Sequence, residues 1–264
     1  MLIEAVIGGA LVTAGAVKSI HIDEKSLETL RDAHNLHAEA VELVRRSREK
    51  ADQNLQKLVN RKKAILSNRL LPFVELFDTI RRIEFAPGEG IVELLGDQIT
   101  VEDAVAIRTM AISSMKPMSD NEVAVKFLFS GITGVMVADS KRRLSIANSQ
   151  MQIAETTNLQ AEEMAIAMNA IGEHAELISD LLARFSFLLG KTLNEMKKII
   201  DCNGMDRSLY TKEDREVIMA CVNIAGAVKA VLDAPILDGT GSISQESQKA
   251  LREGTQRLEK LKSI

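Results

Sequence analysis

The chain has 264 residues, of which 46% are hydrophobic and 27% charged, enough to build a substantial core in one large domain or two ordinary ones. Aromatics make up only 3%, Trp is absent and four prolines interrupt the whole length, which argues against a turn-rich sheet protein and for long helices. A net charge of -4 argues against a protein that coats nucleic acid, and Cys202 and Cys221 are too few for a disulfide scaffold or a zinc site, so a reducing cytoplasm fits.

The expected fold is all-α: a single elongated antiparallel helical bundle or coiled coil over 1–264, with two long helices and several shorter ones. Its expected divisions are an apolar N-terminal segment at 1–20, a connector and short-helix head region at 84–140, and the second long helix with the C-terminal helices at 141–264.

Between Glu4 and Lys18 the run AVIGGALVTAGAV holds 13 uncharged residues. As a helix it spans about 20 Å, short of the roughly 30 Å hydrocarbon core of a bilayer. Positive charge is missing ahead of it, so a secretory signal is not expected. Val6, Ile7, Gly8, Gly9, Leu11 and Val12 form an apolar, small-residue surface that lets another backbone come close. It suits either membrane contact or burial within the bundle or an oligomer interface.

From Leu27 a stripe runs through Leu30, His34, His37, Val41, Val44, Arg48, Ala51, Leu55, Leu58, Lys62 and Ile65 in steps of three and four, predicting one long helix from Asp23 to the Pro72 region, continuing to Ile83 with a kink. The same helix carries nine basic residues between Arg45 and Arg69 against Glu49 and Asp52. Arg45, Arg46, Arg48, Arg61, Lys62 and Lys63 are the expected ligands for acidic lipid headgroups or an acidic protein partner, the alternative being a solvated helix face. No aromatics interleave for base stacking, so nucleic acid is not an expected partner.

Pro87, Gly88, Gly90 and Gly96 mark a connector. Thr100 with Asp103 and Ser119 with Glu122 have capping-box spacing and predict helices at about 101 to 115 and 120 to 139. The second contains a further apolar run, Phe127 to Ala138, in which Phe127, Leu128, Phe129, Ile132 and Val135 suit a buried bundle segment or, with the N-terminal run, a hairpin tip in a bilayer. From Lys141 about sixty residues read as helix, with a stripe at Met164, Ala167, Ile171, His174, Ile178, Leu181, Phe185 and Leu188. Antiparallel pairing with the first long helix is expected, because neither stripe can be buried alone. Gly204 is a plausible stop, Thr211 with Asp214 caps a helix turning Val217, Cys221, Ile224, Val228 and Leu232 inward, and a polar helix from about Ser244 to Lys262 ends the chain.

Candidate chemistry is sparse. His34 and His37 could present two nitrogens to an ion, but the paired Glu-x-x-His motifs of a di-iron bundle are missing, so these and His174 read as structural or pH-sensitive and no metal is expected. The stretch from Asp238 to Lys249 faintly resembles a calcium loop, with Ile243 where glycine and Lys249 where glutamate is needed; a turn into an N-cap at Ser244 explains it better. Phosphate-cradling loops and nucleophile elbows do not occur, so no catalytic residue, cofactor or enzymatic activity is expected.

The segment Ile199 to Ser247, through Asn203-Gly204-x-Asp206, Thr211 with Glu213-Asp214, Leu232-Asp233-x-Pro235 and Asp238 leading to Glu246-Ser247, resembles the C-terminal part of a family of bacterial long-helical proteins often labelled "chemotaxis protein". That resemblance carries no catalytic residues with it. In such relatives a long Gly/Ala-rich mid-chain region implies membrane insertion; here only Phe127 to Ala138 stands in its place. Together these readings give a non-enzymatic, cytoplasmic bundle that self-associates and contacts membranes, peripherally at the inner face, with pore formation or membrane remodelling as its modes of action. The alternative is a soluble coiled-coil scaffold or adaptor whose apolar N-terminus is buried in an oligomer interface.

Overall fold

The computed structural model describes residues 24–83, 85, 91, 99–115 and 158–262, and the fold is all-α. Helix α1 is Glu24–Ile65 and passes through a widened turn, Leu66–Leu70, into α2, Leu71–Arg82. Helix α3 is Val101–Met115, α4 is Asn158–Asn203, α5 is Lys212–Asp233 and α6 is Gln245–Lys262. At 1.5 Å per residue the 42-residue α1 and 46-residue α4 are rods of about 63 and 69 Å.

The expected kink falls at Pro72, and its chemistry is visible. Proline has no N–H, so the Asn68 carbonyl four residues earlier loses its helical partner. Arg69 repairs this: its Nη1 donates to the Asn68 carbonyl at 3.1 Å, while its Nε donates to the Ser186 carbonyl of α4 at 3.1 Å. The widened turn therefore absorbs the break and ties it to the neighbouring rod.

The two long helices run parallel, which corrects the antiparallel pairing expected for them. Ala51 packs on Gly172, Asn54 Nδ2 donates to the Gly172 carbonyl at 3.1 Å, and Arg69 reaches Ser186, so residue numbers climb together along both rods. The reason lies in the connections. A long crossover from Arg82 to Asn158 can return the chain to its starting end, whereas the short links after α4 and α5 force reversal. Helix α5 accordingly runs back along α4, with Asn203 beside Asp214, and α6 reverses again, with the Gly254 Cα side against Leu181, Phe185 and Val231. The bundle is thus antiparallel between α4 and α5 and between α5 and α6.

Side-chain size explains the close approach of the rods. The α4 line Ala161, Ala165, Met168, Gly172, Ala175, Ser179 and Leu182 is buried, as is the α1 line Ser47, Ala51, Asn54 and Leu58. A β-carbon on Gly172 would lie 3.1 Å from the Ala51 Cα, so the crossing is set by small residues. The α1 seam keeps Ala51 and Leu58 of the expected stripe but takes Ser47 and Asn54 in place of Arg48 and Leu55, and it leaves Val41 48% exposed and Arg48 in solvent. On α4 the expected stripe is largely correct but serves different neighbours: His174, Leu181 and Phe185 face α6.

The continuous core joins Leu58, Leu66, Phe73 and Phe77 to Ile178, Leu182 and Leu189 of α4 and to Cys221, Ile224, Val228 and Leu232 of α5. Each such side chain contributes about 1.5–3 kcal/mol on full burial. Capping boxes start α3 and α5 as expected: Thr100 with Asp103, and Thr211 with Asp214, exchange hydroxyl and carboxylate bonds to the opposing amides. Gly204, at φ 60°, ends α4 in the left-handed conformation, its N–H donating to the Ile200 carbonyl at 2.8 Å.

Candidate functional site

The basic stretch of α1 is divided by the fold. Arg45 donates to Glu42 at 2.8 Å and also pairs with Glu49, Arg46 donates to Glu42 at 2.6 Å, and Arg48 faces Asp52 at 3.8 Å. Hydrogen bonds from Arg45 and Arg46 hold the Glu42 carboxyl down at about 2. Three of the arginines expected to bind lipid or an acidic partner are therefore already matched within their own helix. Arg61 is exposed and Lys63 half-buried.

Lys62 is a correction of a different kind. It is fully buried, and its Nζ donates to the Leu232 carbonyl at 3.1 Å and the Ala234 carbonyl at 3.3 Å. These belong to the last turn of α5, where carbonyls lack helical partners and the helix dipole favours a cation. A side chain held there cannot reach a lipid or a partner surface. Burial pushes the amine down to about 7, against the opposing pull of Asp233. One turn earlier, Lys229 pairs with Asp233 at 2.8 Å and with Asp103 of α3 at 3.1 Å. Burial would lower the Lys229 amine, but the two carboxylates raise it, so it stays charged. Three helices, α1, α3 and α5, are bolted together at this point.

A second polar joint links α4 to α6. His174 Nε2 and Ser247 Oγ lie 2.7 Å apart, both buried, and burial lowers the imidazole. Ser244 accepts from the Ser247 N–H at 2.9 Å and donates to the Pro235 carbonyl, which makes it the N-cap expected for α6. Asp238 accepts from the Thr240 hydroxyl, the Thr240 N–H and the Ser242 N–H, so the loop that faintly resembles a calcium site is closed on itself. At the other end Tyr210 donates to the Gly204 carbonyl at 2.7 Å and sets its ring edge-on to Phe85.

Among the described residues no group of three or more His, Cys, Asp or Glu is arranged to hold a metal, and no helix is long and apolar enough to cross a membrane. His34 and His37 lie on α1 with side chains outside the described residues. Val6, Ile7, Gly8, Gly9, Leu11, Val12, Phe127, Leu128, Phe129, Ile132 and Val135 also lie outside them. Compared with protein-family models, curated proteins and solved structures, the chain matches none.

What the described surface offers is an apolar and charged face along the rods. Leu36, Leu43, Ile166, Leu177 and Phe187 are exposed, Ile166 and Phe187 at 69% and 74%. On α4 the line Ile166, Ala170, Glu173, Leu177, Asp180, Arg184 and Phe187 repeats in steps of four and three, every member exposed. Sequence reasoning missed this second line because the inward stripe was the stronger signal. Lys62, by contrast, stood on the inward stripe between Leu58 and Ile65, a signal that outweighs its membership of a basic run.

Proposed function

We propose that this chain is a non-enzymatic, self-associating helical scaffold, working as a rod that presents its α1 and α4 faces to a protein partner. The observation that carries the reading is the parallel α1/α4 pair. Among the described residues its first part runs ahead of the stretch where α6 meets α4 at His174, and Leu36, Leu43 and Ile166 are exposed there. The polar groups that could have served chemistry support the same reading. Lys62, Lys229 and His174 are spent on joints between helices. Two free thiols, exposed Cys202 and buried Cys221, suit a reducing cytoplasm. Sedimentation velocity of the full chain tests this: concentration-dependent association is expected, and a monomer at all concentrations would end the reading.

Membrane contact is the second reading, favoured by one feature of the topology. Parallel polarity puts the first turns of α1 and α4 at the same end of the molecule, and in the sequence an apolar run precedes each of these helices. Flotation with anionic vesicles separates the readings. A scaffold stays at the bottom at low salt; a membrane-binding protein floats, and a Val6→Asp, Val12→Asp variant does not.

A further inference from the structure

The α1/α4 pair has one broad face that neither α5 nor α6 covers. On α1 each residue just before a seam residue is exposed: Arg46 before Ser47, Lys50 before Ala51, Gln53 before Asn54, Lys57 before Leu58. On α4 most residues just after the seam are exposed in the same way: Glu162 after Ala161, Ile166 after Ala165, Glu173 after Gly172, Glu176 after Ala175, Asp180 after Ser179, with Asn169 and Ala183 half-buried. Each residue turns about 100° around its helix, so in two parallel helices sharing a seam these lines fall on the same side. His174, one residue before Ala175, bonds to α6 on the opposite side.

This face is divided lengthwise by charge. Its α1 half carries Arg46, Lys50 and Lys57, and its α4 half carries Glu162, Glu173, Glu176 and Asp180. The α1 ion pairs run along the helix, and among the described residues no ion pair joins Lys50 or Lys57 to an α4 carboxylate, although Lys57 Nζ donates to Asn54 Oδ1 and Asn54 Nδ2 to Glu176 Oε2, each at 3.5 Å. Leu43 and Ile166 lie exposed on the two halves.

Resting on the self-association read above, we infer that this face is where a second copy of the chain docks, side by side and pointing the same way. Rotation by half a turn about an axis along the rods sets α1 of each copy over α4 of the other. Because Ala51 is level with Gly172, that rotation brings Lys50 within about one turn of the second copy's Glu173, Lys57 near its Glu176 and Asp180, and Leu43 near its Ile166. Rotation about an axis across the rods would instead set α1 on α1 and α4 on α4, opposing like charges. The interface is isologous, so every contact is made twice.

The test uses two full-length variants. Lys50→Glu, Lys57→Glu makes both halves acidic; Glu173→Lys, Asp180→Lys cancels the net charge of the α4 half and sets a lysine where Lys50 and Lys57 of a second copy would dock. All four positions are exposed, so helix content by circular dichroism should be unchanged. In sedimentation velocity the wild type should self-associate, each variant alone should do so about tenfold more weakly or worse, and the two mixed should associate as well as the wild type. Recovery on mixing cannot come from repaired folding. If each variant alone associates like the wild type, this face is not the interface, although self-association stands. A mixture that stays dissociated also overturns the docking mode, and a monomeric wild type overturns both it and the self-association it rests on.

Discussion

Replacing Lys62 with Met keeps the aliphatic stem in the core and removes the amine that joins α1 to the end of α5. Its effect should depend on pH in a definite direction. In the folded chain the Lys62 amine gives up its proton near pH 7, whereas in the unfolded chain it keeps it to about 10.5. Between those values the unfolded state binds more protons, so wild-type stability rises with pH across the window and has its lowest contribution below pH 7. The slope starts at about half of 1.4 kcal/mol per pH unit at pH 7 and approaches that limit above it, which gives about 2.3 kcal/mol from pH 7 to 9. The window stops at 9 because the buried Cys221 thiol, pushed up to about 12, favours the unfolded state above the ordinary thiol value and works the other way. Urea unfolding followed at 222 nm at pH 7, 8 and 9 should show the wild type gaining on Lys62→Met by an amount of that order. A wild-type minus variant difference that stays constant across the three pH values would refute the burial of Lys62 and the joint built on it.

Four smaller effects are expected. His174, lowered by burial, binds its proton later than in the unfolded chain, so stability should fall as pH drops below about 6.5, and His174→Asn should flatten that decline in thermal melts between pH 6.5 and 5. Gly172→Val forces a side chain toward the Ala51 backbone and should cost about 1–3 kcal/mol in urea unfolding. Thr211→Ala removes the α5 capping box and should cost about 1 kcal/mol, with faster hydrogen exchange in the first turn of α5. Tyr210→Phe loses the bond to the Gly204 carbonyl and should cost about 0.5–1.5 kcal/mol, read as a lower urea midpoint.

Helix positions were legible in the sequence to within a few residues wherever a local device marks them. The Thr100 and Thr211 capping boxes, the Gly204 stop, the Ser244 N-cap and the Pro72 break all act through neighbours in the chain, so spacing alone reveals them. Polarity was not legible. Whether two long stripes meet parallel or antiparallel depends on how a long crossover returns, and the stripe itself is identical in either direction. The destination of Lys62 was half legible: its heptad position pointed inward, its basic neighbours pointed outward, and the carbonyls at the end of α5 that decide the matter lie far along the chain. The same holds for Ser247 and His174, which meet only because α6 folds back beside α4. Of the expected surface residues, Arg45 and Arg46 were read as available because Glu42, just outside the basic stretch, was left out of the charge balance, and Arg48 because Asp52 was counted as background charge and not as its partner one turn on.

Parallel polarity is the feature from which the rest of the surface follows. Had α1 and α4 run in opposite directions, the residue before the seam on one and the residue after it on the other would lie on opposite sides, and no single face would hold a basic line beside an acidic one. Parallel rods also align their dipoles, which is unfavourable, and the fold answers this by laying α5 antiparallel to both and setting Lys62 at its negative end. The joint that fixes α1 against α5 therefore also fixes the register in which Lys50 stands level with Glu173. Loosening it should be felt on the far face: Lys62→Met, where it permits α1 to slide or rotate, should weaken self-association although Lys62 itself is fully buried. Unchanged association in a variant with altered α1 register would separate the two and place the interface elsewhere.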